Sequence, residues 1–256
     1  MRRALAARCA RDLPHGPADL LRQLSLFALA YGGYEVVRGL VGGAGGRAFA
    51  DASRIIGFER ALHVFIEPRV QRWVTTHAHW LLDLADWTYL NAHFALSAGA
   101  LAFIYLRRND SFHFVRNMFM VAMLVALVGY CVYPAAPPRL MPQWGFTDSI
   151  QQFTGVNAQQ GPSSLLLNPY AAVPSMHVCI ALMLGLTMSR LVHSRMARLL
   201  WRTYPVLITF VVIVTANHYL TDVVLGAITA AGAALAARRL ASDVRKGEVG
   251  SLSSAT

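Results

Sequence analysis

Residues 199–222 read LLWRTYPVLITFVVIVTANHYLTD. An apolar run from Leu199 to Ala216 meets the polar cluster Asn217-His218-Tyr219-Leu220-Thr221-Asp222 with almost no intervening loop, and a second apolar run continues from His218 to Ala237. Each run approaches the ~20 residues that cross a hydrocarbon layer. Two such runs joined by so short a connection read as a transmembrane hairpin with a histidine and an aspartate at its tip. Four further runs, Leu24–Gly43, Asp83–Leu106, Phe114–Tyr133 and Pro174–Leu191, precede it. The predicted fold is all-α, an integral membrane six-helix bundle with an additional interfacial amphipathic helix.

The composition agrees. The 256 residues are 55% hydrophobic and 14% charged, against ~25% charged in a soluble chain, and the mean hydropathy is +0.43. Cys9, Cys131 and Cys179 are too few and too scattered for a disulfide framework or a zinc site. The net charge of +10 invites a nucleic-acid reading, but the arginines sort by segment. Arg2, Arg3, Arg8, Arg11 and Arg22 precede the first run, Arg107, Arg108 and Arg116 follow the second, Arg190, Arg195, Arg198 and Arg202 follow the fourth, and Arg238, Arg239, Arg245 and Lys246 follow the sixth. Alternating spans put all four segments on one side, which the positive-inside rule makes cytoplasmic. The base is a topology signal, and no nucleic-acid partner is expected. Residues 1–23 then form a basic cytoplasmic leader, 24–238 the membrane domain, and 239–256 a disordered cytoplasmic tail. A cleaved signal peptide is the rival reading of the first run, opposed by Glu35, Arg38 and the long basic leader.

Two long connections fall on the outer side. Residues 44–82 place Ile55, Phe58, Leu62, Phe65 and Ile66 on one helical face, with Arg54, Arg60, His63 and Glu67 mostly off it. This is the pattern of a helix lying in the membrane interface, which Pro68 should end or kink. Residues 134–173 are rich in Pro, Gln, Asn and Gly and read as a binding loop.

Chemistry gathers at the same outer face. In Val173-Pro174-Ser175-Met176-His177 a proline in first helical position leaves the N–H groups of Ser175, Met176 and His177 pointing out of a helix start, a ready anion site. His218 and Asp222 are four apart, so a helix brings them together, and a carboxylate on one imidazole nitrogen leaves the other more basic. Plain helix capping and a structural hydrogen bond are the alternative readings of the two segments. Two histidines, a carboxylate, a helix start and Arg139 suit phosphoryl transfer: one imidazole attacks, the other protonates the leaving oxygen, and fixed positive groups hold the remaining oxygens. Asn168, Tyr170, Asn217 and Tyr219 are candidate head-group contacts.

These residues carry a resemblance. Tyr133 to Arg139, Gly145 to Asp148, Asn168 to His177 and Asn217 to Asp222 are similar to motifs of the type 2 phosphatidic acid phosphatase superfamily, and more closely of its branch containing inositol phosphorylceramide synthases. The resemblance covers residues 24–238. It implies a nucleophile at His218 forming a phospho-histidine, Asp222 raising its reactivity, His177 as the acid, phosphate binding at Ser175, and no metal or cofactor. Four positions depart from the broad superfamily pattern: Val132 and Val212 stand where cations are expected, Leu140 where proline is usual, and Met176 where glycine is usual. Fewer cations favour a phosphodiester, or a site completed by Arg54, Arg60 or Arg69. His93, His113, His193, His63, His77 and His79 read as packing or surface residues. A b-type haem bundle would leave Asp222 without a role, and a protease using Ser175 lacks the Gly-x-Ser-x-Gly elbow. An inactive membrane scaffold of the same fold stays open.

Overall fold

Apolar segments withdrawn from water must pair their own backbone groups, which favours helices throughout. The structure, a computed structural model, describes residues 13–41, 45–156, 170 and 172–253, with 34, 35, 37–41 and 241–253 described by backbone alone. The helices are α1 (Gly16–Val41), α2 (Gly45–Ala61), α3 (Glu67–His77), α4 (His79–Trp87), α5 (His93–Arg107), α6 (Asn109–Val132), α7 (Ser149–Thr154), α8 (Met176–Leu191), α9 (Arg195–Val214) and α10 (Leu220–Ser253). There is no strand among the described residues. A π-helical turn, Thr88–Ala92, carries α4 into α5 without a break.

Among the described residues four stretches are long and apolar enough to cross a membrane: His79–Arg107, Asn109–Val132, Arg195–Val214 and Leu220–Leu240. Helix α8, expected as a further span, is apolar but only 16 residues long, about 24 Å at 1.5 Å per residue. The first expected run, as far as Val41, falls within α1, which begins at Gly16 rather than Leu24; 42 and 43 lie outside the described residues. The tail expected to be disordered continues α10 as far as Ser253, since Ala, Arg, Lys and Leu all favour helix.

Helix α8 is central and packs against α5, α6, α9 and α10. Ile104, Val115, Phe119, Cys179, Leu184 and Ala233 fill the space between them. The opposite faces leave Leu124, Val128, Leu186, Val206, Val224 and Ile228 exposed, the apolar exterior of a bundle whose solvent is lipid.

A second cluster caps this bundle at the starts of α8 and α10. There α2 turns Ala48, Ala52, Ile55 and Ile56 onto Ala135, Ala136, Met141, Phe146, Ala216 and Tyr219. This corrects the expected face: Ile55 is buried in protein, whereas Phe58, Leu62 and Ile66 are exposed, and Glu67 is fully buried. The reason is a reversal. Helix α2 ends at Ala61, His63 takes a positive φ of 59°, and α3 begins at Glu67. Pro68 therefore opens α3, where its missing N–H costs nothing. The loop expected without regular structure contains two 3-10 turns, Pro138–Leu140 and Pro142–Trp144, and α7, whose start is capped by Asp148 accepting from Gln151 N–H at 3.0 Å.

Two glycines allow the segment before α8 to enter the bundle. A Cβ on Gly129 of α6 would lie 2.9 Å from Pro174 Cδ, and one on Gly226 of α10 would collide with the Ser175 carbonyl oxygen. Backbone cannot retreat as a flexible side chain can. Gly226→Ala is expected to cost about 1–3 kcal/mol through overpacking and to lower the unfolding midpoint. Gly232→Ala, with nothing within 4 Å of the added carbon, should be neutral or stabilising by up to about 1 kcal/mol. Equal midpoints for the two variants would contradict the close approach.

Candidate active site

The two polar segments meet because two helix starts are tied together. Ser175 is the N-cap of α8: its Oγ accepts from Val178 N–H at 3.4 Å, and its own N–H donates to the Asp222 carbonyl at 3.1 Å. Helix α8 thus begins at Met176 rather than at Pro174, and one donor expected for a bound anion, the Ser175 N–H, is used within the fold. The fully buried Ser175 acts here as a cap.

His218 lies just before α10, not on it. Its N–H and that of Asn217 both donate to the Val212 carbonyl, at 3.2 and 3.0 Å, which hooks the turn onto the end of α9. Tyr219 caps α10, and its N–H donates to Asp222 Oδ2 at 3.0 Å, one half of a capping box. The same oxygen stands 3.4 Å from His218 Nδ1. The expected histidine–aspartate pair is therefore present, but the cap makes it rather than a shared helix face. Asp222 is fully buried and His218 is 5% exposed, so the other imidazole nitrogen is the one directed away from the carboxylate.

His177, in the first turn of α8, faces this ring. The His177 and His218 centroids are 5.8 Å apart, with the planes inclined at 55°. The far side of His177 is packed by aromatics. Tyr89 of the π turn stacks on it at 4.3 Å, His93 lies 4.9 Å away, and Phe94 meets it edge-on at 5.8 Å. His93 Nδ1 is hydrogen-bonded with Tyr204 Oη at 2.8 Å. Sequence reading placed His93 in packing and missed its nearness to His177. Tyr89 and His93 are four apart and share a helix face, but their contact with His177 joins distant parts of the chain, and no local spacing announces it.

From His177 an apolar groove of ≈ 450 Å³ runs between α1, α5, α6 and α8, lined by Phe27, Phe94, Leu101, Phe119, Met176 and Ile180 among others. Of the proposed binding residues, Met176 lines this groove. Tyr170 sits in the cap, its carbonyl accepting from Ala135 N–H at 3.0 Å and its ring edge-on to Phe49. Asn168 lies outside the described residues.

The polar candidates before α10 are braces. Arg139 donates through Nε to Asn217 Oδ1 at 3.1 Å and through Nη1 to Asp148 Oδ2 at 2.9 Å, while its N–H donates to the Ala216 carbonyl at 2.7 Å. Asn217 in turn donates to Thr215 Oγ1 at 2.8 Å. Tyr219 is fully buried, and its hydroxyl donates to the Ala136 carbonyl at 3.2 Å. Two of the outer arginines singled out above are engaged elsewhere: Arg54 pairs with Asp51 at 2.7 Å and Arg60 lies over Trp144. These positions correct the expectation of several open donors around the histidines.

Sequence reading also missed two acids. Leu220 N–H donates to Glu67 Oε1 at 2.8 Å and Thr221 N–H to Glu59 Oε1 at 2.7 Å, both carboxylates being fully buried. The signal for Glu59 was there, since Ala48, Asp51, Ile55 and Glu59 follow one helical stripe of α2.

Helices long enough to span a membrane, an apolar exterior and two facing imidazoles beside a buried carboxylate define the class as a helical membrane protein with a polar site at two helix starts. The family model described as the PAP2 superfamily matches residues 53–236. With most of the chain matched, the protein belongs to that superfamily, whose members are phosphoesterases, and its activity is of the lipid phosphatase or phosphotransferase type. Comparison with curated proteins and with solved structures gave no match.

If Arg139 braces the loop, removing either partner should cost similar stability. A double-mutant cycle of Arg139→Ala and Asp148→Ala, read by unfolding midpoints in detergent, is expected to return a coupling of about 1–3 kcal/mol, the range for a charge-assisted hydrogen bond. Additive losses would mean the pair contributes nothing.

Proposed function

We propose that the protein is an integral membrane, metal-independent lipid phosphatase or phosphotransferase, working through a phospho-histidine intermediate on His218. The observation that carries this reading is the pair of imidazoles, 5.8 Å apart, at the head of an apolar groove. His218 attacks phosphorus with the nitrogen that Asp222 does not face. The bond from phosphorus to the leaving alcohol breaks as His177 gives that oxygen its proton. In the second half His177, now neutral, takes a proton from water or from an acceptor alcohol, whose oxygen displaces His218. The sum is hydrolysis with water and transfer with an alcohol, and no step calls on a metal or cofactor. The groove starts at His177, so it suits the hydrocarbon of the departing lipid alcohol.

Val132, Val212 and the braced Arg139 leave few cations for a dianionic monoester. A phosphodiester, with one charge fewer, fits better, in line with an inositol phosphotransferase-like reaction. The arginine distribution supports six spans including α1 and α8, both termini cytoplasmic, and a site at the extracytoplasmic face of the cell membrane. There α2 lies in the interface with its exposed Phe58, and Leu62 just beyond it, toward lipid.

Incubation with phosphorus-labelled lipid phosphates and phosphodiesters tests this. Wild type should release or transfer label and carry an acid-labile phosphoryl group. His218→Ala should do neither. His177→Ala is expected to slow turnover of natural esters by about 10²–10⁴-fold, and far less with a nitrophenyl ester whose leaving oxygen needs no proton. Equal rates for wild type and His218→Ala would overturn the reading and leave an inactive scaffold.

A further inference from the structure

A helix start leaves its first N–H groups without intrahelical partners, and at α10 carboxylates take them. Tyr219, Leu220 and Thr221 donate in succession to Asp222, Glu67 and Glu59. Glu59 comes from α2 and Glu67 from α3, so the two helices outside the bundle converge on the helix that follows His218. Consecutive donors force their acceptors together, and the two glutamate carboxyls lie within hydrogen-bonding reach of each other. Their second oxygens, Glu59 Oε2 and Glu67 Oε2, are buried and meet no donor among the described residues. No arginine or lysine pairs with either acid among those residues. Two facing carboxylates in such a place cannot both stay ionised without a large penalty.

We propose that Glu59 and Glu67 hold one proton between them and act as a single positioning unit, fixing the start of α10 and with it His218 and Asp222 opposite His177. One acid donates its proton to the other's free oxygen, while each keeps its Oε1 for a backbone N–H. Asp222 and Tyr219, at the start of α10, are ionisable groups whose charges reach the pair. Burial, together with the facing Glu67, pushes Glu59 up to about 8. The sign follows: an acid whose folded value is raised binds its proton more tightly in the folded state. The stability from the shared proton is complete below the ordinary carboxylate range and is lost as pH rises through about 8.

Glutamine replaces such a proton permanently, because its carbonyl still accepts the N–H and its amide donates to the remaining carboxylate. The full chain in detergent is compared as wild type, Glu59→Gln, Glu67→Gln and Glu59→Ala, at about pH 6 and about pH 9. Two quantities are read: the unfolding midpoint, and hydrogen exchange at the Leu220 and Thr221 amides corrected for the intrinsic effect of pH. Wild type should lose several degrees and at least about tenfold in protection on going to the higher pH. Both glutamine variants should hold nearly constant, and Glu59→Ala should lose protection at Thr221 at both pH values. Glutamine variants that follow wild type, or Thr221 equally protected in Glu59→Ala, would overturn the proposal. One arm rests on the phosphoryl-transfer reading: kcat, not KM, should fall more steeply between the two pH values in wild type than in the glutamine variants, which keep only the loss due to the His177 acid. Should no form turn over lipid phosphate, that reading alone fails, and exchange and unfolding still decide the role of the pair.

Discussion

The bond from Ser175 N–H to the Asp222 carbonyl, 3.1 Å long, sets the geometry of the site. It joins the cap of α8 to the first turn of α10, with Gly226 one turn further along removing the side chain that would hold the helices apart. Once these two helix starts touch, residues flanking them must share a small volume. His177, one position inside α8, and His218, two before α10, are such residues. Their convergence is a property of backbone contact.

Around this contact the fold assembles charge of the sign that His218 needs in the role proposed for it. Asp222 faces His218 and caps the helix at once, so the carboxylate is fixed by two contacts before any substrate arrives. A fixed acceptor sets which nitrogen carries the proton and stabilises the ring as it takes on positive charge. The same economy governs the surroundings of His177, where stacked Tyr89 and His93 set the ring's plane, and Met176 beside it opens onto the groove. Arg139, by contrast, is used in construction, joining the turn before α10 to the loop that carries α7.

How much of this the sequence disclosed follows from which interactions are local. The long apolar stretches of α4–α5, α6, α9 and α10 are legible because lipid selects residues one at a time. The pairing of His218 with Asp222 is legible because four residues separate them, although the cap and not a helix face delivers it. The buried side of α2 was misread for a physical reason. Phe58, Leu62 and Ile66 are apolar and exposed, while Glu59 and Glu67 are acidic and buried, the reverse of what periodicity assumes in water. An acid goes inside only where donors wait, and those donors are backbone N–H groups more than 150 residues away. His93 was equally silent, since its place beside His177 is a contact between residues 84 positions apart. Arg139 was found, but its partners Asp148 and Asn217 were not foreseen as such.

Orthovanadate adopts the five-coordinate arrangement of phosphorus in transit between two oxygens or nitrogens, so a vanadate-soaked experimental structure bears directly on the meeting of the two rings. The account calls for vanadium bonded to a nitrogen of His218, with the opposite apical oxygen hydrogen-bonded to His177. Vanadate seated away from both rings, or His177 and His218 turned toward separate cavities, would contradict it.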